Sequence, residues 1–122
     1  APAKKKVAPK KKAAVKKAIA MVHMAMWESF CNVVHEGMSQ GLVCFVADNT
    51  ALPLLIKNGV NGYCIPTHDD VLLAEHLNKF LADPNNDLYQ EIRKTNRQFG
   101  LQHSWRSTAA RMGEFYTNRI KK

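Results

Sequence analysis

Residues 28–47, ESFCNVVHEGMSQGLVCFVA, place a polar break, a helical pattern and a buried strand in immediate succession. Glu28 and Ser29 interrupt the apolar run before them. Val33, Val34 and Met38 then recur at helical spacing, and Gly41 is suited to closing the helix they belong to. Residues 42–47, LVCFVA, form an unbroken apolar run of strand length, the pattern of a parallel strand covered on both faces. A helix feeding directly into such a strand is the connection from which α/β folds are built.

Working outward, residues 18–27, AIAMVHMAMW, are apolar, and their middle, 21–26, reads as a buried strand, although alanine and methionine also permit a helix. Downstream, Asp48, Asn49 and Thr50 turn the chain. Residues 51–57 then suit a short helix, ended by the glycines of NGVNG at 58–62, and 63–65 suit another short strand. Thr67 and Asp70 have capping-box spacing for a helix on which Leu73, Leu77, Phe80 and Leu81 share a face, ending near Asp83-Pro84. A further helix over 86–99 turns Leu88 and Ile92 inward and is broken by Gly100. Ser104 caps a last helix whose Trp105, Ala109, Met112 and Tyr116 lie on one side. This order predicts the α/β class: a partial Rossmann-like parallel sheet with flanking helices and a helical C-terminus.

Charge divides the 122 residues into two segments. Eight lysines (Lys4, Lys5, Lys6, Lys10, Lys11, Lys12, Lys16 and Lys17) and no acid fall within residues 1–17, so this tail carries the whole net charge of +8. Residues 18–122 are balanced and long enough for one core. The tail, an Ala/Pro/Lys pattern without large apolar residues other than two valines, is expected to be disordered or extended when alone. It reads either as a solubilising arm or as a polyanion ligand; without arginine or aromatics it has no means of reading bases. The start Ala-Pro-Ala resembles what remains after an initiator methionine is removed, and is read as a natural start.

Cys31, Cys44 and Cys64 form no CxxC pair, are odd in number and sit among apolar residues, so free buried thiols in a reducing intracellular compartment are expected. No apolar run reaches the ~20 residues of a membrane span. His23, His35, His68, His76 and His103 lack metal-ligand spacing and have no cysteine suitably near, so structural or surface roles are expected and no metal or cofactor is predicted. Trp27 and Trp105 read as core anchors. No P-loop, dinucleotide glycine fingerprint, zincin helix or nucleophile elbow occurs.

The block from Glu28 through Glu36 to Gly41 resembles the E-x7-E motif of retaining GT-B glycosyltransferases, E-[GS]-F-[GP]-[LN]-V-x-x-E-[AG]-M-x-x-G. Three further blocks keep the family's order and gaps: residues 53–56 at its P-E-L-I turn, 56–66 (IKNGVNGYCIP) at its I-x-x-G-x-N-G-x-L-[VF]-P segment, and His103-Ser104-Trp105 at its F-S-W. The chain departs from the pattern at Cys31 (usually Gly or Pro), Val43 (often Pro), Thr50-Ala51 (usually glycines) and Leu54 (usually Glu).

The resemblance implies that residues 18–122 are a truncated part of the nucleotide-sugar-binding domain. Glu28 would bind hydroxyls of the donor sugar and Glu36 the ribose, while the segment Ser29, Phe30, Cys31 and Asn32 would hold sugar and phosphate oxygens through its backbone. A carboxylate can accept from two adjacent hydroxyls at once, and the uncapped start of a helix favours phosphate. The expected function is therefore a glycosyltransferase-related domain keeping part of a donor site, without catalysis of its own. The alternative is a non-catalytic assembly component whose basic tail binds nucleic acid or an acidic partner. In either case an open sheet edge, with exposed apolar surface around residues 22–26 and 42–46, is expected to pair with other protein chains.

Overall fold

The computed structural model describes residues 18–121; the lysine tail, with its expected disorder and polyanion binding, lies outside the described residues. The elements follow in the order β1 (Ala20–His23), α1 (Asn32–Ser39), β2 (Val43–Ala47), α2 (Leu52–Leu55), β3 (Gly62–Ile65), α3 (Asp70–Ala82), α4 (Asp87–Gln102) and α5 (Trp105–Ile120). The three strands form one parallel sheet in the order β1-β2-β3. The α/β class is therefore as expected.

The central strand β2 is buried along its whole length. Its side chains alternate between two cores. Cys44 and Val46 pack with Val34, Met38, Leu52 and Ile56 beneath α1 and α2. Val43 and Phe45 face the other way, onto Ile65, Phe80, Tyr89 and Ile92 of β3, α3 and α4. Helix α4 serves both sides: Tyr89 and Ile92 belong to the second core, and Phe99 packs against the first. Between them Asn96, fully buried, donates from Nδ2 to the carbonyls of Leu42 (2.7 Å) and Asn61 (2.8 Å), while Arg93 Nε donates to Gly41 O at 2.9 Å. These bonds fix the helix across the starts of β2 and β3.

Several local expectations are corrected. Strand β1 lies at the sheet edge and is partly exposed rather than buried; it stops at His23 rather than reaching residue 26, because β2 turns away after Ala47 and the Ala25 carbonyl is taken by Asn49 Nδ2 at 2.8 Å. Asp69, not Thr67, caps α3, its carboxylate accepting from the Leu72 N–H, while the Thr67 hydroxyl accepts from Asn49. Leu81 is exposed, since it lies ~100° around the helix from the buried Phe80. In α4, Tyr89 is buried in place of the exposed Leu88. Strand β2 is not an uncovered surface, although Val22 on the edge strand β1 is exposed. Ser104 does cap α5, but that helix buries nothing. Trp105 is 89% and Trp27 72% exposed, so neither is a core anchor among the described residues. The three cysteines are free, as expected: Cys31 and Cys44 are buried and Cys64 partly so.

Gly100 does not break α4, which runs on to Gln102. A Cβ there would lie 2.5 Å from both Cα and Cβ of Ser39, so glycine is what allows α4 to cross the end of α1. Gly100→Ala is expected to destabilise the fold by about 1–3 kcal/mol through this overlap, despite the ~1 kcal/mol of helix propensity gained. Urea unfolding measures the balance, and an unchanged or raised midpoint would contradict the close approach.

Burial pushes the Cys44 thiol from 9.0 up to about 12. It also raises Cys31, Cys64, Tyr63 and Tyr89. A raised pKa keeps the folded form protonated where the unfolded chain ionises, so the stabilisation is complete below the unfolded value and is lost as pH rises through the folded one. The contribution of these groups should stay level up to about pH 9 and then fall, with Cys44 adding a slope approaching about 1.4 kcal/mol per pH unit between about pH 9 and 12. Cys44→Ala should make the decline shallower between about pH 9 and 12. Urea midpoints measured across that range test this; an unaltered slope in the variant would count against Cys44 as a main contributor.

Candidate functional site

In an open parallel sheet the loops leaving the carboxyl ends of the strands are where ligands are held. Two such loops meet here, 24–31 after β1 and 48–51 after β2. Glu28 is tied to the second loop by both backbone groups: its N–H donates to Thr50 Oγ1 at 2.8 Å, and its carbonyl accepts from the Ala51 N–H at 3.2 Å. Its half-buried carboxylate accepts from His23 Nε2, at the end of β1, with a separation of 2.8 Å.

Two departures from the family pattern fall on unusual backbone. Cys31 has φ 60° and Thr50 φ 50°, both in the left-handed region. That conformation costs a non-glycine residue roughly 1–2 kcal/mol. At both positions the backbone has a geometry that glycine would hold without strain. A further departure, Leu54, is 81% exposed on α2 where the pattern has a glutamate.

Cys31 is the N-cap of α1 and makes no side-chain capping bond. By contrast Asp69, Asn86 and Ser104 accept backbone N–H groups at the starts of α3, α4 and α5. The first turn of α1 therefore keeps N–H groups without a strong acceptor. Only the weakly accepting Cys31 sulfur lies toward them. Burial raises the pKa of this thiol, the Val34 N–H opposes that rise, and the Glu28 charge adds to it.

Beyond α1 the surface opens into a groove of about 920 Å³, lined among others by Phe30, Asn32, Glu36, Phe99, His103 and Trp105. Its floor is a ladder of rings. Phe30 stacks on His35 with centroids 4.3 Å apart and planes 7° from parallel, His35 leans on Phe99 at 5.9 Å, and Phe99 stacks on His103 at 4.0 Å. His35 is oriented by donating from Nδ1 to the Cys31 carbonyl at 2.9 Å.

The six expected site residues thus divide between two places. Glu28 and Cys31 stand at the sheet end, Phe30, Asn32 and Glu36 line the groove, and Ser29 is exposed on the loop between. The start of α1 separates the two carboxylates. His23 belongs with the first group: one ligand atom each from His23, Glu28 and Cys31 lie within 4.8 Å of one another. The fold brings together side chains that sequence spacing does not pair. The spacing, five residues and then three, crosses a strand end and an irregular loop, so no periodic motif signals it. The roles of Asn49 and Thr50 in stapling the loops were also missed, because a turn reading says nothing of which chain the side chains will reach. His76, beside Phe45 and Tyr63, has the structural role expected of it.

Among the described residues no helix is long and apolar enough to cross a membrane. No curated protein matches the chain. Among solved structures, sucrose-phosphate synthase from Thermosynechococcus elongatus is similar, with a TM-score of 0.66 and 23% sequence identity over 82% of this chain and 25% of that one. The chain spans about a quarter of that protein's length, and the likeness is one of fold. Residues 5–99, well over half of the chain, match the family model described as glycosyl transferases group 1, and the chain belongs to that family.

Proposed function

We propose that residues 18–121 carry part of a nucleotide-sugar donor site and do not catalyse transfer by themselves. The observation that carries this is the uncapped start of α1 between Glu28 and Glu36, when the three longer helices are each capped by a side chain. Unpaired N–H groups and the helix dipole favour a phosphate there. Glu28, before the helix, would accept sugar hydroxyls, and Glu36, one turn inside it, the ribose hydroxyls. The backbone of Ser29, Phe30, Cys31 and Asn32 would face the phosphates. Family membership and the position of Glu28 at the carboxyl end of β1 support the same assignment.

Transfer also needs an acceptor and stabilisation of the leaving group, held together with the donor. In this proposal they come from a second protein surface, seated against the outer edge of β1 and the exposed face of α5, where Val22, Met112 and Tyr116 are solvent-accessible.

Titration with UDP-glucose, ADP-glucose and GDP-mannose, followed by amide NMR or calorimetry, tests the donor site. At least one should bind with shifts centred on residues 28–36. Glu36→Ala should weaken that binding about 10- to 100-fold, as expected for losing hydrogen bonds to a charged group. Absence of binding at millimolar ligand would overturn the donor site. Release of nucleoside diphosphate above the solution rate by the chain alone would overturn the claim that it is not catalytic alone.

A further inference from the structure

The junction of β1 with the loop before α1 gathers three side chains of different donor chemistry. His23 Nε2 and Glu28 Oε1 are 2.8 Å apart, and the Cys31 sulfur completes a triangle whose ligand atoms all lie within 4.8 Å of one another. It is the one such group among the described residues. Cys31, at 6% exposure, forms the base, while the side chains of His23 and Glu28, at 23% and 26%, form an accessible rim. A cation can therefore enter from solvent and meet the sulfur last.

We propose that His23, Glu28 and Cys31 bind a thiophilic divalent cation of the zinc type, through one nitrogen, one oxygen and one sulfur, leaving a fourth position open. The donor set selects the metal. Magnesium and calcium take oxygen ligands, whereas imidazole and thiolate suit zinc and its neighbours. Zinc bonds of about 2.0–2.3 Å place tetrahedral nitrogen, oxygen and sulfur ligand atoms roughly 3.3–3.6 Å apart, so side-chain rotations that open the His23–Glu28 pair and adjust the Cys31 sulfur would fit the triangle around the ion. Binding exchanges the His23–Glu28 hydrogen bond for two metal bonds: the Nε2 proton passes through solvent to Nδ1, leaving Nε2 of the neutral imidazole free to ligate, and the Cys31 thiol releases its proton to solvent as the sulfur bonds the cation.

The backbone holding these groups is fixed before any ion arrives. His23 is in the sheet, opposite Val46. Glu28 is held by Thr50 and Ala51. The Cys31 carbonyl accepts from both the ring and the backbone N–H of His35. The other cysteines lack these companions: Cys44 is sealed inside the first core, and Cys64 directs its thiol to the Ile56 carbonyl. The site is independent of the donor-site proposal, although both use Glu28, so a bound cation would compete with a sugar for that carboxylate.

The test is a Co2+ titration of the full 122-residue chain, reduced and kept anaerobic. A near-ultraviolet thiolate-to-cobalt charge-transfer band and strong four-coordinate visible bands are expected, both abolished by Zn2+. Cys31→Ser should remove the charge-transfer band, His23→Ala should weaken cobalt binding at least tenfold, and Cys64→Ser should change neither. Absence of the band at millimolar Co2+, or its persistence in Cys31→Ser, would overturn the site. Should Cys31→Ser lose its far-ultraviolet circular dichroism, Glu28→Gln, altered at the accessible rim, decides instead: a tenfold weakening supports the site and an unchanged affinity overturns it.

Discussion

The two-sided burial of β2 governs the arrangement of everything else. A parallel strand cannot turn directly into its neighbour, so each connection must cross over a face of the sheet. With only three strands, both faces of β2 still have to be covered. The chain meets this with α1 and α2 on one face and α3 on the other, and with α4 laid across the end so that Tyr89, Ile92 and Phe99 reach both cores. Asn96 makes that placement specific, because its two hydrogen bonds are to backbone carbonyls at the starts of two strands. Once the amino ends of the strands are locked in this way, the loops at their carboxyl ends must lie side by side. The stapling of Glu28 to Thr50 and Ala51 follows from that proximity.

How much of this was legible in the sequence depended on whether a feature was local. The apolar run at residues 42–47 can be read as a doubly covered strand because burial on both faces leaves its mark on every residue. Val34 and Met38 declare the inner side of α1 in the same way. The misreadings share a different cause. Helical periodicity shows which residues could form an apolar face but not whether another element covers it, so Trp105, Met112 and Tyr116 looked like a core and are exposed. Gly100 carries the same lesson in reverse: glycine in a helical pattern suggests a break, and only the approach of Ser39 from α1 gives it another purpose.

The candidate site was legible through motif blocks rather than through physics visible along the chain. The family pattern located Glu28 and Glu36 by register, yet it could not say that one stands at the sheet end and the other in a groove beyond the helix start. The departures at Cys31 and Thr50 are instructive because both residues occupy left-handed backbone that the pattern's glycines would adopt without strain. Side chains at such positions are costly to hold, so what they contact matters: Thr50 receives the Glu28 N–H, and Cys31 brings sulfur to the Glu28 carboxylate.

Glu28 is consequently the residue on which competing chemistries meet. Its carboxylate already has a partner in His23, so any sugar hydroxyl arriving there must share or displace that hydrogen bond rather than meet a free anion. A cation faces the opposite situation, since the imidazole nitrogen that competes with a hydroxyl becomes a second ligand for a metal, and the nearby thiol a third. Under the two proposals, His23 and Cys31 therefore disfavour Glu28 as a sugar acceptor and favour it as a metal ligand. Glu36, exposed in the groove, is subject to neither effect, so in the proposed donor site it is the carboxylate left free to meet a hydroxyl.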